Sequence, residues 1–246
     1  MPPPKLARHG SATYFLDMPS MGRLSLFSPL DAAAVAFLLL GWFALGRLIE
    51  RTDSARPSVA FLMMQQRRDW MVQMVTRQPR IFDATILSML RQGAAFFAST
   101  LVIAIGGVLA LIGNAEELSG VAGELGRDAP VAAYEMKLAL VAILLTGSFL
   151  NFVWSNRLFG YCAVVMAAVP NEPEAPDALP RARQAAELNI RAAWNFNRGL
   201  RGMYVSLAAL GWLAGPVPLI LASLAVFWVI WSREYRSVTR SILERR

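Results

Sequence analysis

Histidine and cysteine are all but missing: 246 residues contain one of each, His9 and Cys162. With a single cysteine no disulfide can close within the chain, and no thiolate–imidazole cluster can hold a metal. Serine–histidine and cysteine–histidine catalysis drop out as well, because the one imidazole stands in the proline-rich run MPPPKLARHG. That run lacks the continuous apolar core of a secretory signal, so no cleaved peptide is expected. Lysine is scarce too: of 24 basic residues only Lys5 and Lys137 are lysine. The arginine bias has two readings, a GC-rich coding style and a use for guanidinium chemistry. A P-loop, a dinucleotide glycine fingerprint and paired-glutamate motifs are absent. No catalytic residue, metal or cofactor is assigned, and the expectation is a protein that is not an enzyme.

Apolar length is what the chain has in excess. The hydrophobic fraction is 56% and the mean hydropathy +0.43, against roughly 45–50% apolar for ordinary soluble domains. Four long apolar stretches run over residues 30–46, 94–113, 138–153 and 203–231. About 20 apolar residues cross a bilayer as helix, and only helices or closed barrels satisfy their backbones there. The expected fold is therefore all-α: a polytopic membrane helical bundle with helical extensions on the cytoplasmic side. The fourth stretch holds 29 residues, about 43 Å of helix, too long for one upright crossing. Gly215-Pro216-Val217-Pro218 in its middle reads as a stop and restart. Splitting it there gives five crossings, near 30–49, 91–113, 137–157, 200–215 and 217–233. One long kinked helix would give four.

Around these spans the reading is a single membrane domain, 28–240, between a tail 1–27 and a basic tail 241–246. Ser28-Pro29-Leu30-Asp31 supplies an N-cap, a first-turn proline and an acid, a strong start signal. An amphipathic helix is expected over 57–78, lying on the membrane or packing on the bundle. The second and third membrane helices should run over about 80–113 and 131–169, overshooting the bilayer. A proline-rich acidic loop and a polar helix fill 170–199. No strand pattern, repeat or separate soluble domain is evident.

Orientation follows from arginine placement, since Lys and Arg gather in cytoplasmic loops. Segments 47–91, 157–201 and the tail after Trp231 hold 19 of the 24 basic residues. The connection 114–135 instead carries Glu116, Glu117, Glu124, Asp128 and Glu135 with Arg127 alone. It is expected outside, with the N-terminus outside and the C-terminus in the cytoplasm of a bacterial inner membrane.

Several polar positions stand out. Thr85, Gln92, Ser99, Gly106 and Gly113 recur at seven-residue spacing, which suits a helix packing seam or, less simply, a pore lining. Ser148, Asn151 and Ser155 share a narrow stripe, read as interhelical hydrogen bonding or a polar path. Arginines meet the membrane border at Arg47, Arg91, Arg157, Arg201 and Arg233. Arg91, Arg157, Arg191, Asn195, Arg198 and Arg201 are the candidates for binding an anion or an anionic lipid headgroup. The plainer reading pairs the arginines with Asp69, Asp83 or Glu187.

Three segments carry a resemblance. They are Arg68-Asp69-Trp70 with Ser88-x-x-Arg91 and Phe96-Phe97-Ala98-Ser99-Thr100; then Phe152-Val153-Trp154-Ser155-Asn156-Arg157-Leu158-Phe159-Gly160-Tyr161; then Leu188-Asn189-Ile190-Arg191 through Asn197-Arg198-Gly199-Leu200-Arg201 to Gly211-Trp212 and Gly215-Pro216. Together they resemble the multipass membrane family called domain of unknown function 599, over about residues 30–240. Gln92 stands where that family usually has asparagine. The resemblance implies an integral membrane helical protein and no established activity.

The leading functional expectation is a non-enzymatic, self-associating membrane module that binds anions or anionic headgroups at its cytoplasmic face, with anion permeation as an extension. Its partners would be membrane lipids and copies of itself or a larger membrane complex, with no nucleic acid. A second reading, an assembly subunit, rests on the Met-rich helix 63–74 and the acidic loop. A third, a lipid-acting enzyme, would have to use Asp69, Asp83 or Glu187.

Overall fold

The computed structural model describes residues 26–51, 56–124 and 129–244. These residues form eight α-helices and no strand: α1 (Pro29–Ile49), α2 (Val59–Thr76), α3 (Ile81–Gly113), α4 (Ala115–Glu124), α5 (Val131–Ala167), α6 (Ala178–Leu210), α7 (Pro216–Tyr235) and α8 (Val238–Glu244). Of the tails expected at 1–27 and 241–246, residues 1–25 and 245–246 lie outside the described residues, and 241–244 complete α8. The short helices α4 and α8 were not foreseen, since neither carries a long apolar run.

Four elements are long and apolar enough to cross a bilayer: α1, α3, α5 and α7 taken with α8. The start signal of α1 is realised as a capping box. The Ser28 hydroxyl accepts the Asp31 N–H at 3.2 Å, and Asp31 accepts the Ser28 N–H at 3.1 Å. α3 and α5 are 33 and 37 residues long, about 50 and 56 Å. They overshoot the apolar layer much as their sequences imply.

The fourth apolar stretch is a hairpin. α6 stops at Leu210, a 3-10 turn covers Gly211–Ala214, and α7 restarts with Pro216 in its first turn. Between them Gly215 takes φ 117°, a conformation that L side chains rarely adopt. A Cβ on Gly211 would lie 3.0 Å from the Pro218 carbonyl, so the returning chain passes too closely for a larger residue.

α5 and α6 form the central pair, antiparallel and in steady register. Ser148 faces Gly202, Phe152 faces Gly199, the Ser155 hydroxyl donates to the Ala192 carbonyl, and Cys162 donates to Ala185. α3 joins through an aromatic trio, Phe97 stacked on Phe152 at 5.1 Å with Phe196 edge-on to both. α1 and α7 run parallel to each other on the other side of α6. Gly41 abuts Phe227, and the Tyr235 hydroxyl donates to the Leu48 carbonyl at 2.9 Å.

α6 itself is too polar to be counted among the apolar four, yet its C-terminal part and the turn after it meet α1 at two levels. Arg201 meets Glu50 at the foot of α1. Trp212 just beyond α6 donates to Asp31 at its head, at 2.7 Å. Lys137 of α5 lies over the same indole ring, 5.9 Å away. This part of α6 packs among α1, α5 and α7. Five helices thus run alternately down and up.

The small-residue seam on α3 faces the wrong way for packing inside this chain. Thr85, Gln92, Ser99, Gly106 and Gly113 are exposed. The buried row is Leu87, Ala94, Leu101 and Val108. It has the same seven-residue period two positions further on, about 200° around the helix. Side-chain volume decides, because the groove beside α5 and α6 is filled by branched residues and one alanine. α2 lies on the bundle: Met64, Met71 and Met74 are buried, and Arg68 pairs with Glu187 of α6 at 2.8 Å.

The α5–α6 approach yields a test. A Cβ on Gly202 would sit 2.2 Å from the Ser148 hydroxyl oxygen, but 3.4 Å from its Cβ. Gly202→Ala should therefore lower stability by about 1–3 kcal/mol through overpacking. Adding Ser148→Ala should restore most of it, read as the thermal unfolding midpoint of the purified protein.

Candidate functional site

Charge is what makes the foot of α1 unusual. α1 ends at Ile49, and its C-cap residue Glu50 turns towards α6. Arg198 grips that carboxylate through two nitrogens, Nε to Oε1 at 2.9 Å and Nη2 to Oε2 at 2.6 Å. Arg201, one turn along α6, donates its Nη2 to Oε1. The Arg201 side chain is only 9% exposed and Glu50 only 22%, so this pairing is largely out of water. Such a pair costs desolvation, and breaking it leaves a buried charge behind. Glu234 at the end of α7 lies within electrostatic reach of Arg201, and its carboxylate accepts the Ala60 N–H of α2 at 3.1 Å. One charged thread therefore ties α1, α6, α7 and the start of α2.

Beside this thread lies a cleft of about 360 Å³, lined on the α1 side by Trp42, Phe43, Gly46 and Arg47. Asn151 of α5 closes the opposite wall, and Glu50, Arg198 and Arg201 form the floor. α1 buries Ala34 and Leu38 towards its head and Ile49 at its foot, and the cleft opens beside the stretch between them, at Trp42, Phe43 and Gly46. The Arg47 guanidinium lies 4.1 Å from the centre of the Phe43 ring. The cleft lining thus holds three guanidinium groups and the Glu50 carboxylate beside an aromatic wall, with Glu234 also within electrostatic reach of Arg201.

Burial alone would push the Glu50 carboxyl up. The hydrogen bond from Arg198 and the charges of Arg201 and Arg198 outweigh it and hold the carboxyl below its ordinary 4.5. The Arg198 guanidinium is raised in turn, first by its hydrogen bond to Glu50. Arg67 in the helical layer below is pushed down by burial, where it donates to the fully buried Asn189.

The sequence candidates divide. Arg198, Arg201 and Asn151 converge on the cleft. Asn195 lines an adjoining hollow that shares Asn151, and its amide donates to the Arg191 carbonyl at 2.8 Å. Arg157 instead bonds the Tyr161 hydroxyl at 2.5 Å, and Arg191 lies over Trp194. Arg91 donates to Asn156 at 3.2 Å on the far side of α5. Ser148 and Ser155 are sealed between α5 and α6. Asn151 alone of that stripe reaches a cleft, its amide also donating to Gly147 at 2.8 Å.

Asp83 and Glu187 do not meet the candidate arginines. Asp83 accepts from Arg77 and Trp70, Glu187 pairs with Arg68, and Asp69 accepts from Gln65. Glu50 is the partner that sequence reasoning missed. The available signal was its position as the one acid between Arg47 and Arg51 at the end of a span.

A family model described as "Protein of unknown function, DUF599" matches residues 33–239, and the chain belongs to that family. No curated protein and no solved structure matches it.

The depressed carboxyl of Glu50 fixes the sign of a pH effect. Its contribution is fully present above pH 4.5, the ordinary carboxyl value, and is lost as pH falls through the folded-state value below that. Glu50→Gln should lower stability by about 2–3 kcal/mol at neutral pH. That is less than the loss for a fully enclosed pair, because Glu50 keeps partial access to water. The variant's unfolding midpoint should also fall less between pH 5 and 3 than that of the parent, measured by tryptophan fluorescence.

Proposed function

We propose that this DUF599 member is a multipass protein of the bacterial inner membrane that holds the anionic headgroup of a lipid in the α1–α5 cleft. The observation that carries this reading is the meeting of Arg47, Arg198 and Arg201 with a single carboxylate beside Trp42 and Phe43. Guanidinium groups suit phosphate oxygens bidentately, and the aromatic wall suits the interfacial level of a bilayer. In the proposed orientation the foot of α1 and the C-terminus face the cytoplasm, the side whose leaflet attracts basic clusters. The role is binding, without catalysis, and self-association remains part of the proposal. Permeation draws no support from Ser148 and Ser155, which are enclosed within the α5–α6 interface. The assembly-subunit reading is weakened, because Met64, Met71 and Met74 already pack on this chain's own helices.

Purified protein in nanodiscs of mixed phosphatidylcholine and phosphatidylglycerol tests the proposal through native mass spectrometry of the lipids it retains. The parent should retain phosphatidylglycerol selectively. Arg47→Gln with Asn151→Leu should reduce that retention about tenfold, equivalent to ~1.4 kcal/mol. Equal retention of both lipids by the parent would refute the reading.

A further inference from the structure

A second recess lies apart from the charged thread. It is a groove of about 330 Å³ between α3 and α5. Leu87, Phe159 and Met166 make an apolar floor, each under 9% exposed. Arg91 stands at one end and Arg80 at the other, eleven residues apart or about 16 Å along the helix. No acidic residue lines the groove.

The two arginines are not equivalent. Arg80 is occupied in capping chain ends: its terminal nitrogens donate to the carbonyls of Val75, Val169 and Pro170. Arg91 uses only Nε, towards Asn156, so both of its terminal nitrogens remain open to a ligand. An apolar trough with an open guanidinium at one end and no neutralising acid has the chemistry of a receptor for a negatively charged amphiphile. Ligand sites commonly span about 300–1,000 Å³, and this one lies near the lower bound, room for one chain rather than two. A carboxylate answers the fork of Arg91 directly, with two oxygens for two nitrogens.

We infer that the α3–α5 groove binds a single-chain fatty acid, its carboxylate on Arg91 and its chain laid over Leu87, Phe159 and Met166 towards Arg80. This site is independent of the α1–α5 cleft. The two share no lining residue.

The test uses full-length protein in phosphatidylcholine nanodiscs, with the fluorescent fatty acid cis-parinaric acid as probe and empty nanodiscs as reference. Saturable binding above the empty-disc signal should be competed by dodecanoate and much less by dodecanol. Ala84 lines the groove and is exposed, so Ala84→Trp fills the trough without entering the core and should abolish the saturable signal. Arg91→Gln should weaken dodecanoate about tenfold while leaving dodecanol unchanged, and Arg91→Lys should recover part of the loss. Arg47→Gln with Asn151→Leu should leave the signal intact, which separates this site from the headgroup cleft. Binding no greater than to empty discs, or unchanged in Ala84→Trp, would overturn the inference. Equal competition by dodecanol would also overturn it, since the site would then not read charge.

Discussion

Glu50 held between Arg198 and Arg201 is the contact on which the lower half of the molecule depends. In that half α1 buries Ile49 fully, and the carboxylate adds a directional polar contact to that packing. The carboxylate sets that end against α6, and the backbone of α1 continues the restraint. The Ile49 carbonyl accepts from the Ser58 hydroxyl at 2.9 Å, and that same hydroxyl caps α2 at the Phe61 N–H. The foot of α1, the start of α2 and the end of α7 are thus one polar joint. An ion pair with so little water around it adds modest net stability compared with an apolar isostere. What it supplies is placement, because arginine forks accept a carboxylate in few geometries.

The same joint explains how a helix as polar as α6 can lie inside a bundle rich in apolar surface. Its buried face is built from alanine, glycine and serine, which let α5 approach closely. Its charged positions are either paired, as Arg198 and Arg201 are, or lie in the layer below with Arg67, Arg68 and Glu187. Polar satisfaction at one end and small-residue packing at the other make a single helix serve two environments. The cleft lies beside the Glu50 contact, between the foot of α1, α6 and Asn151 of α5.

Element by element, the fold was legible where the signal was local. Ser28 and Asp31 announced the start of α1, and Gly215-Pro216 announced the hairpin, because capping and φ restrictions act within a few residues. Helix faces were harder. On α3 the small residues repeat every seven positions, and so do Leu87, Ala94, Leu101 and Val108. Period alone cannot say which row turns inward in a chain whose outer surface is apolar as well. For the site, Arg198, Arg201 and Asn151 were in view from their spacing. Glu50 was not, since it lies 148 residues from Arg198 in sequence and only the third dimension brings them together. Aromatic cover diverted Arg157 and Arg191 from the cluster, a choice made by neighbouring Tyr161 and Trp194 rather than by the arginines themselves.

A double-mutant cycle on Glu50 and Arg201 addresses the central contact most directly. Glu50→Gln and Arg201→Gln, alone and together, would be compared by unfolding midpoint and free energy in the same lipid nanodiscs. Mutual dependence predicts a coupling of about 1.5 kcal/mol or more, with the double variant losing clearly less than the two single losses combined. Additive losses would contradict the account, because the foot of α1 would then be held by something other than this pair.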